Sequence, residues 1–304
     1  MKESVDILLA TYNGELYVES QILSIISQSF KRWKLLIHDD GSKDSTIAII
    51  KKWIAIDHRI QLIEDNVITG GAAKNFMHLL EYSTSKYVMF CDQDDIWFDN
   101  KIQLMFDVMS HLSQDVPQVV YSNSYVWKPE KGILGKATLT FPRNLESLLF
   151  LNSGMQGCVA MFNARIRNLM LQWEGDLAMH DYLLHLLGLT MGNVTYVHLP
   201  LMLYRKHAAN VTGPTRTKML NADALMKNSK TPVVDKRHYN AVHQFVTLYD
   251  SLLNQDQKDI LTTYLKLPYA SLTKKLICII RKKFKIHDSI LLLVAKILLR
   301  PYLR

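Results

Sequence analysis

The run Tyr87-Val88-Met89-Phe90-Cys91-Asp92-Gln93-Asp94-Asp95-Ile96-Trp97 decides the fold. Five apolar residues lead directly into three carboxylates within four positions. A short apolar run with a polar end is the pattern of a buried strand, and the acids mark its tip. Two similar runs lie upstream. Val5–Ala10 ends in Thr11-Tyr12-Asn13-Gly14, and Trp33–His38 ends in Asp39-Asp40-Gly41-Ser42. Ile60–Glu64 supplies a third. Helical spacing fills the gaps at Leu16–Gln28, Ser45–Ile56 and Ala72–Tyr82, and follows at Lys101–Leu112. Alternating strands and helices predict an α/β fold with a mostly parallel sheet and flanking helices. Such sheets bind ligands beyond the carboxyl ends of their strands.

The second half is less regular. Val119–Val126 and Val194–Leu203 read as strands, and Gly154–Phe162 reads as extended. Phe141–Leu151, Asn163–Trp173 and the segment beginning at His180–Leu187 read as helices. Residues 212–235 are polar and read as a loop, and Arg237–Leu265 reads as one helical stretch. The expected organisation is a domain at 1–213 and a helical extension at 214–304.

Composition excludes several classes. With 12 Gly and 8 Pro in 304 residues, the chain is neither collagenous nor low in complexity. Three cysteines without a C-x-x-C pair argue against a disulfide scaffold or a thiolate zinc site, and point to a reducing compartment. No apolar run approaches the ~18 residues of a membrane span, and the first twelve residues lack the apolar core of a signal peptide.

The net charge of +8 is unevenly placed. Nine of the 36 basic residues but only one of the 28 acids follow Leu272, leaving 27 of each in the first 272 residues. At ~100° per residue, Leu272, Leu276, Ile277, Ile279, Ile280 and Phe284 share one side of a helix. Lys274, Lys275, Arg281, Lys282 and Lys285 share the other. A greasy helix at Ile290–Leu299 follows, with Asp288 as its expected cap and Pro301 as its stop. This pattern reads as interfacial attachment to a membrane surface; the competing reading is a terminal helix packed on the core. No nucleic-acid motif accompanies the charge, so nucleic acid is not an expected partner.

The acidic tip is the strongest chemical signal. Asp92, Asp94 and Asp95 repel one another unless a cation or donors neutralise them. Two of them can face a divalent ion that also holds diphosphate oxygens, and hard oxygen ligands suit Mg²⁺ or Mn²⁺. A solvated acidic turn is the alternative. Asp40 can accept from a pyrimidine N3–H, or can belong to an ordinary strand-to-helix turn. Asp181, after His180, can take a proton from an acceptor hydroxyl, or can cap a helix. Arg205 and His207 can meet phosphate or metal, or lie on the surface.

As a set these residues resemble glycosyltransferase family 2 with its GT-A fold. The resemblance runs through Ala10–Gly14, Gln28-Ser29-Phe30, Asp39–Ser42 with Asp44 and Thr46, and Asp92–Asp95 with Trp97 and Lys101. Gln156-Gly157-Cys158, His180-Asp181 and Tyr204-Arg205-x-His207 with Asn210 resemble the branch containing bacterial rhamnosyltransferases. It covers about residues 4–213. Ala208-Ala209 departs from it, standing where a Gly-containing stretch is expected.

The resemblance implies roles. Thr11, Tyr12, Asn13 and Asp40 would hold the nucleotide, with Lys74 and Asn75 near it. Asp92, with Gln93, would lie near the ribose. Asp94 would bind Mn²⁺ or Mg²⁺, with Asp95 beside it and His207 as a further metal contact. Arg205 would contact the diphosphate, and Asp181 would be the catalytic base. The implied reaction is inverting transfer of a sugar from a nucleotide-sugar donor to a lipid-linked saccharide acceptor. The resemblance suggests synthesis of a surface polysaccharide such as O-antigen or capsule, and the composition of the basic tail, outside the matched residues, suggests the cytoplasmic face of the membrane as the place. dTDP-rhamnose is the expected donor, with a UDP-hexose or UDP-N-acetylhexosamine as the alternative. A non-catalytic nucleotide-sugar or membrane-binding module is the rival of another class. A Rossmann oxidoreductase would want G-x-G-x-x-G after the first strand, and Ala10–Gly14 lacks it.

Overall fold

Mostly apolar stretches of β-prone residues form the strands that end at the expected tips. The computed structural model describes residues 3–151, 155–207, 210 and 231–303. Strands β1 (Val5–Thr11), β2 (Trp33–Asp39), β3 (Ile60–Leu62) and β4 (Tyr87–Asp92) alternate with helices α1 (Val18–Ile26), α2 (Thr46–Ile56) and α3 (Ala72–Glu81). All pairings among these four strands are parallel, in the order β3-β2-β1-β4. Residues 7–9 of β1 and 87–91 of β4 are fully buried, as strands covered on both faces require. The one acid inside β1, Asp6, is 1% exposed. It accepts from the amides of Thr84 and Ser85 and the hydroxyls of Ser83 and Ser85, so it ties the α3–β4 turn to the sheet end away from the tips.

The rest of the sheet is mixed. It adds β5 (Ile96–Trp97), β6 (Gln118–Lys128), β7 (Gly132–Lys136), β8 (Ala160–Asn163) and β9 (Asn193–Arg205), with α4 (Lys101–Ser110) between β5 and β6. The order continues β4-β8-β6-β9-β5, with β7 on β6, making nine strands among the described residues. β8 is antiparallel to both neighbours, β5 is antiparallel to β9, and only β6–β9 is parallel. The parallel expectation therefore holds for the first half of the sheet. In the second half short antiparallel returns replace crossovers, and the β6–β7 hairpin and two-residue β5 carry too little periodicity to be read in advance.

By packing the chain divides into two units whose segments interleave. One holds Met1–Thr138, Met155–Gln172 and Gly192–Pro214; the other holds Leu139–Gly154, Trp173–Met191 and Thr215–Arg304. The second unit is helical: α5 (Leu145–Leu148), α7 (His180–Met191), α8 (Lys236–Tyr249), α9 (Gln255–Lys266), α10 (Leu272–Lys282) and α11 (Ile290–Leu299), with α6 (Ala164–Met170) belonging to the first. Phe150 centres its core, with the rings of Tyr264 and Phe284 each 5.4 Å away.

Several expected boundaries move. The helix expected over Phe141–Leu151 contracts to Leu145–Leu148, started by an Asn144–Ser147 capping box. The stretch 237–265 breaks after Tyr249, because Asn254 and Gln257 form a capping box that starts a new helix. Ser289, not Asp288, caps α11; Asp288 has φ 61°, outside the conformation an N-cap needs. The loop expected over 212–235 lies mostly outside the described residues, as do Ala208 and Ala209. No helix among the described residues is long and apolar enough to cross a membrane.

Candidate active site

The tips of β1, β2 and β4 lie side by side, and their loops are stitched together. Tyr12 donates its amide to Gln93 Oε1 at 2.9 Å, and Gln93 Nε2 returns a bond to the Tyr12 carbonyl at 2.9 Å. A Cβ on Gly14 would lie 2.2 Å from Gln93 Oε1, so this clasp needs glycine. Asn13 N–H donates to the Ser42 hydroxyl, and Asn13 Oδ1 accepts from Lys43. The Tyr12 side chain stays 53% exposed, available to a ligand.

The two acids after β2 are satisfied by donors. Asp39 accepts from the Thr11 hydroxyl at 2.8 Å, the amides of Gly41 and Ser42, and the Ser42 hydroxyl. Asp40, buried, accepts from the amides of Thr69, Gly70 and Gly71 and the Thr69 hydroxyl. Gly70 at φ 75° and Gly71 at φ 153° let successive amides turn onto one carboxylate. Burial alone would raise the Asp40 carboxyl; these donors outweigh it and hold it below the usual range.

The acids after β4 have the opposite environment. Burial, then the charge of Asp94, pushes Asp92 up to about 6, and the Cys158 thiol is a donor that partly opposes this. Asp95 is fully buried, and burial followed by Asp94 and Asp92 drives it well above the carboxylate range. Asp95 Oδ1 accepts from the Arg205 amide at 3.1 Å, and its Oδ2 has no hydrogen-bond partner among the described residues. Behind the cluster sits Lys101, fully buried, its Nζ 2.6 Å from the Cys158 carbonyl and 3.6 Å from the centre of the Trp97 ring. Burial brings its ammonium down to about 8.

Asp94 is held from the far strand. His207 Nε2 lies 2.7 Å from Asp94 Oδ2, and Asn210 Nδ2 donates to the same oxygen at 3.2 Å. Asn210 Oδ1 in turn accepts from the His207 amide. Arg205 Nε donates to the Asp94 carbonyl at 2.8 Å, and its guanidinium lies over Tyr17 and Trp127. Tyr17 stacks on His207 with centroids 4.6 Å apart. The structure thus brings Asp92, Asp94, Asp95, Arg205 and His207 to one place from two strand ends distant in sequence.

These groups fit a hard divalent cation. A carboxylate and an imidazole already converge at Asp94 and His207, and the adjacent Asp95 keeps a buried oxygen without a donor. Cys158, with Asp92 and Asp95, completes a second group of possible ligands, but burial keeps its thiol protonated, and a soft sulfur does not suit such an ion.

Other sequence candidates fall elsewhere. Lys74 is exposed at the start of α3. Asn75 is 2% exposed, with Oδ1 2.8 Å from His38 Nδ1. Asp181 lies in the first turn of α7, half-buried, in the second packing unit. Its neighbour His180 is buried, and burial lowers its imidazole to about 3, so it is neutral. Gln28 is a structural part of the motif: it donates to the carbonyls of Ser24 and Phe98 and accepts from the Ile102 amide. Tyr17 was missed, and a lone aromatic before a helix gives no signal of its role.

Comparison with known proteins accords with this geometry. The family model for glycosyl transferase family 2 matches residues 6–170. A dTDP-rhamnosyl transferase, RfbG of Shigella flexneri, is 28% identical over 67% of this chain and 73% of its own length. WfgD of Escherichia coli, a UDP-Glc:alpha-D-GlcNAc-diphosphoundecaprenol beta-1,3-glucosyltransferase, is 33% identical over 34% of this chain and 40% of its own length. Among solved structures, TarS of S. aureus in complex with UDP-GlcNAc superimposes with a TM-score of 0.57 at 13% identity. The match covers 91% of this chain and 79% of that one, and shows a shared fold.

Proposed function

This chain belongs to glycosyl transferase family 2, and from that premise we propose that it is an inverting transferase moving rhamnose from dTDP-rhamnose to a lipid-linked saccharide. The observation that carries the reading is the convergence of Asp94, Arg205, His207 and Asn210 at the tip of β4. A relative named as a dTDP-rhamnosyl transferase supports the donor. A relative whose acceptor is a diphosphoundecaprenol-linked sugar supports the lipid-linked acceptor, and its UDP-Glc donor keeps a UDP-hexose as the second reading. The product would enter a surface polysaccharide such as O-antigen or capsule.

In this reading the clasped loops of Tyr12, Asn13, Asp40 and Gln93 form the nucleotide pocket, and Tyr12 offers its exposed ring to the base. Among the described residues the Arg205 guanidinium hydrogen-bonds only through Nε, to the Asp94 carbonyl, so its terminal nitrogens can donate to the diphosphate. Asp94 and His207 would hold Mn²⁺ or Mg²⁺, which when bound supplies positive charge against the leaving diphosphate. Asp181 removes the proton from an acceptor hydroxyl. That oxygen forms a bond to the anomeric carbon as the bond from this carbon to the diphosphate oxygen breaks, so the configuration inverts. A positioned base of this kind contributes about 10²–10⁴-fold.

The tail supports work at a membrane surface. Leu272, Ile277, Ile280, Leu291, Leu298 and Leu299 are exposed, close in sequence to exposed Lys274, Arg281 and Lys283. Deleting residues 272–304 would also remove Phe284 and Leu293 from the core of the second unit. Reversing Lys274, Arg281 and Lys283 to Glu is therefore the cleaner test. At about 1 kcal/mol per basic residue lost, binding to anionic vesicles should fall at least about 100-fold, and unchanged binding would refute surface attachment.

The donor reading is tested by thermal-shift measurements against a panel of nucleotide-sugars with and without Mn²⁺. A Mn²⁺-dependent shift with dTDP-rhamnose is the expected result. A shift only with a UDP-sugar would transfer the assignment to the second reading.

A further inference from the structure

Beneath the β2 tip, away from the acids of β4, a second constellation of metal-ligating groups is assembled. His38 comes from β2, Asp65 from the β3–α3 loop and His78 from α3, all within the first packing unit. Residues 27 and 13 apart in sequence share no motif spacing, and the fold alone brings them together. One ligand atom from each lies within 4.8 Å of the others. His38 Nε2 is 3.3 Å from Asp65 Oδ1, and His78 Nε2 is 2.6 Å from Asp65 Oδ2.

The hydrogen bonds around the cluster direct the His38 lone pair inward, while His78 Nε2 shares a proton with Asp65 Oδ2 at 2.6 Å that a bound metal would displace. Asn75 Nδ2 donates to the His38 carbonyl, so Asn75 Oδ1 faces His38 Nδ1 as an acceptor at 2.8 Å. Nδ1 therefore carries its proton, and in the neutral ring Nε2 presents its lone pair to the Asp65 carboxylate. Two acceptors facing each other at 3.3 Å repel unless a cation lies between them. The same distance is the edge of a tetrahedron built from metal bonds of about 2.0–2.1 Å. Asp65 is further oriented by the Tyr82 hydroxyl at 2.7 Å and the Val67 amide at 3.1 Å. A ring nitrogen bonded to an amide oxygen and a carboxylate bonded to neighbouring donors are the outer supports that metal ligands commonly have. His38 is 2% exposed, while the side chains of Asp65 and His78 are 22% and 16% exposed, which leaves a route from solvent.

We propose that His38 Nε2, Asp65 and His78 Nε2 form a binding site for one Zn²⁺, with solvent as the fourth ligand. Two imidazoles and a carboxylate suit zinc better than magnesium or calcium. The site is separate from Asp94 and His207 and does not depend on the glycosyltransferase reading. Bound zinc would fix the β3–α3 loop, whose residues 69–71 supply the amides that hold Asp40.

The test uses the full chain carrying Asp94→Ala, which removes the donor-side cation ligand, stripped with a chelator and titrated with Co²⁺. The expected result is one equivalent bound, with the intense visible absorption of a tetrahedral cobalt site, displaced by Zn²⁺. His78→Gln and Asp65→Asn in the same background should each weaken Co²⁺ binding by at least about 100-fold. Circular dichroism and a melt in chelator check that these variants remain folded. Absence of stoichiometric Co²⁺ binding would overturn the site, in favour of a buried imidazolium–carboxylate network. Equal binding in either variant and its parent would also overturn it.

Discussion

Two acidic strand tips stand one strand apart in the same sheet and differ in almost every physical respect. Asp39 and Asp40 after β2 each receive several donors from turns folded around them. Asp92 and Asp95 after β4 face one another and Asp94 with few donors, and burial adds to their repulsion. One tip is a finished piece of scaffold whose charges hold loops. The other keeps unbalanced negative charge where a cation can neutralise it. Identical side chains thus acquire different work from the hydrogen-bond donors that the local backbone supplies.

The largest expected effect lies at the β4 tip. Asp94→Ala should reduce kcat/KM for transfer by at least about 100-fold, roughly 3 kcal/mol of transition-state stabilisation. The cation-dependent part of donor binding should vanish. Melting in chelator should stay the same or rise, because the charge that helps push both Asp92 and Asp95 up is gone. A large fall in cation-free melting temperature would show that Asp94 is scaffold like Asp40.

The β2 tip should respond in the reverse manner. Asp40→Ala leaves three amides and a hydroxyl in the 69–71 loop without their acceptor. A loss of about 2–3 kcal/mol in stability should follow, visible by urea titration with or without cation. Because donors hold the Asp40 carboxyl below its unfolded value, its contribution is present at neutral pH and lost as pH falls through the folded value. Unchanged stability in Asp40→Ala would erase the contrast between the tips.

Much of this difference was legible in the sequence only as position. The apolar runs and their polar ends located both tips, because strand periodicity and turn residues are local signals. Three carboxylates within four positions already set the β4 tip apart as a candidate cation site, but the runs did not show which acids receive donors. That distinction depends on Gly70 and Gly71, which lie 30 residues beyond Asp40, and on Arg205, His207 and Asn210, more than 100 residues beyond Asp94. The resemblance supplied the Arg-x-His pairing that spacing alone could not. The burial of Lys101 and the His38–Asp65–His78 cluster remained hidden for the same reason: their partners meet only through the fold. The second half was misjudged where short elements carry little periodicity, as at β5 and α5.

The helical unit allows burial to be separated from like-charge repulsion. His180 and His185 of α7 are buried, and burial lowers both imidazoles to about 3. Their folded values lie below the unfolded value of about 6.5, so the unfolded chain binds more protons between pH 3 and 6.5. Stability should therefore fall as pH drops from 7 to 5, by about 2 kcal/mol for each histidine. His185→Gln should shrink this loss by roughly that amount, measured as the difference in urea midpoints at the two pH values. An unchanged pH dependence would mean that burial in this unit is incomplete.

The smallest effect gives the sharpest test, because its sign decides. Asp95 has one oxygen on the Arg205 amide and the other without a partner among the described residues. Asp95→Asn can keep the first bond and removes a buried acid whose ionisation is opposed by burial, Asp94 and Asp92. In chelator it should stabilise the chain by about 1 kcal/mol, a rise of roughly 1–2 °C in Tm. The gain should shrink when Mn²⁺ is added, since a cation already relieves the repulsion in the parent. A fall in Tm would instead mean that the Asp95 carboxylate is held by its surroundings as Asp40 is. The two tips would then differ in place alone, and the charge at β4 would no longer point to a cation.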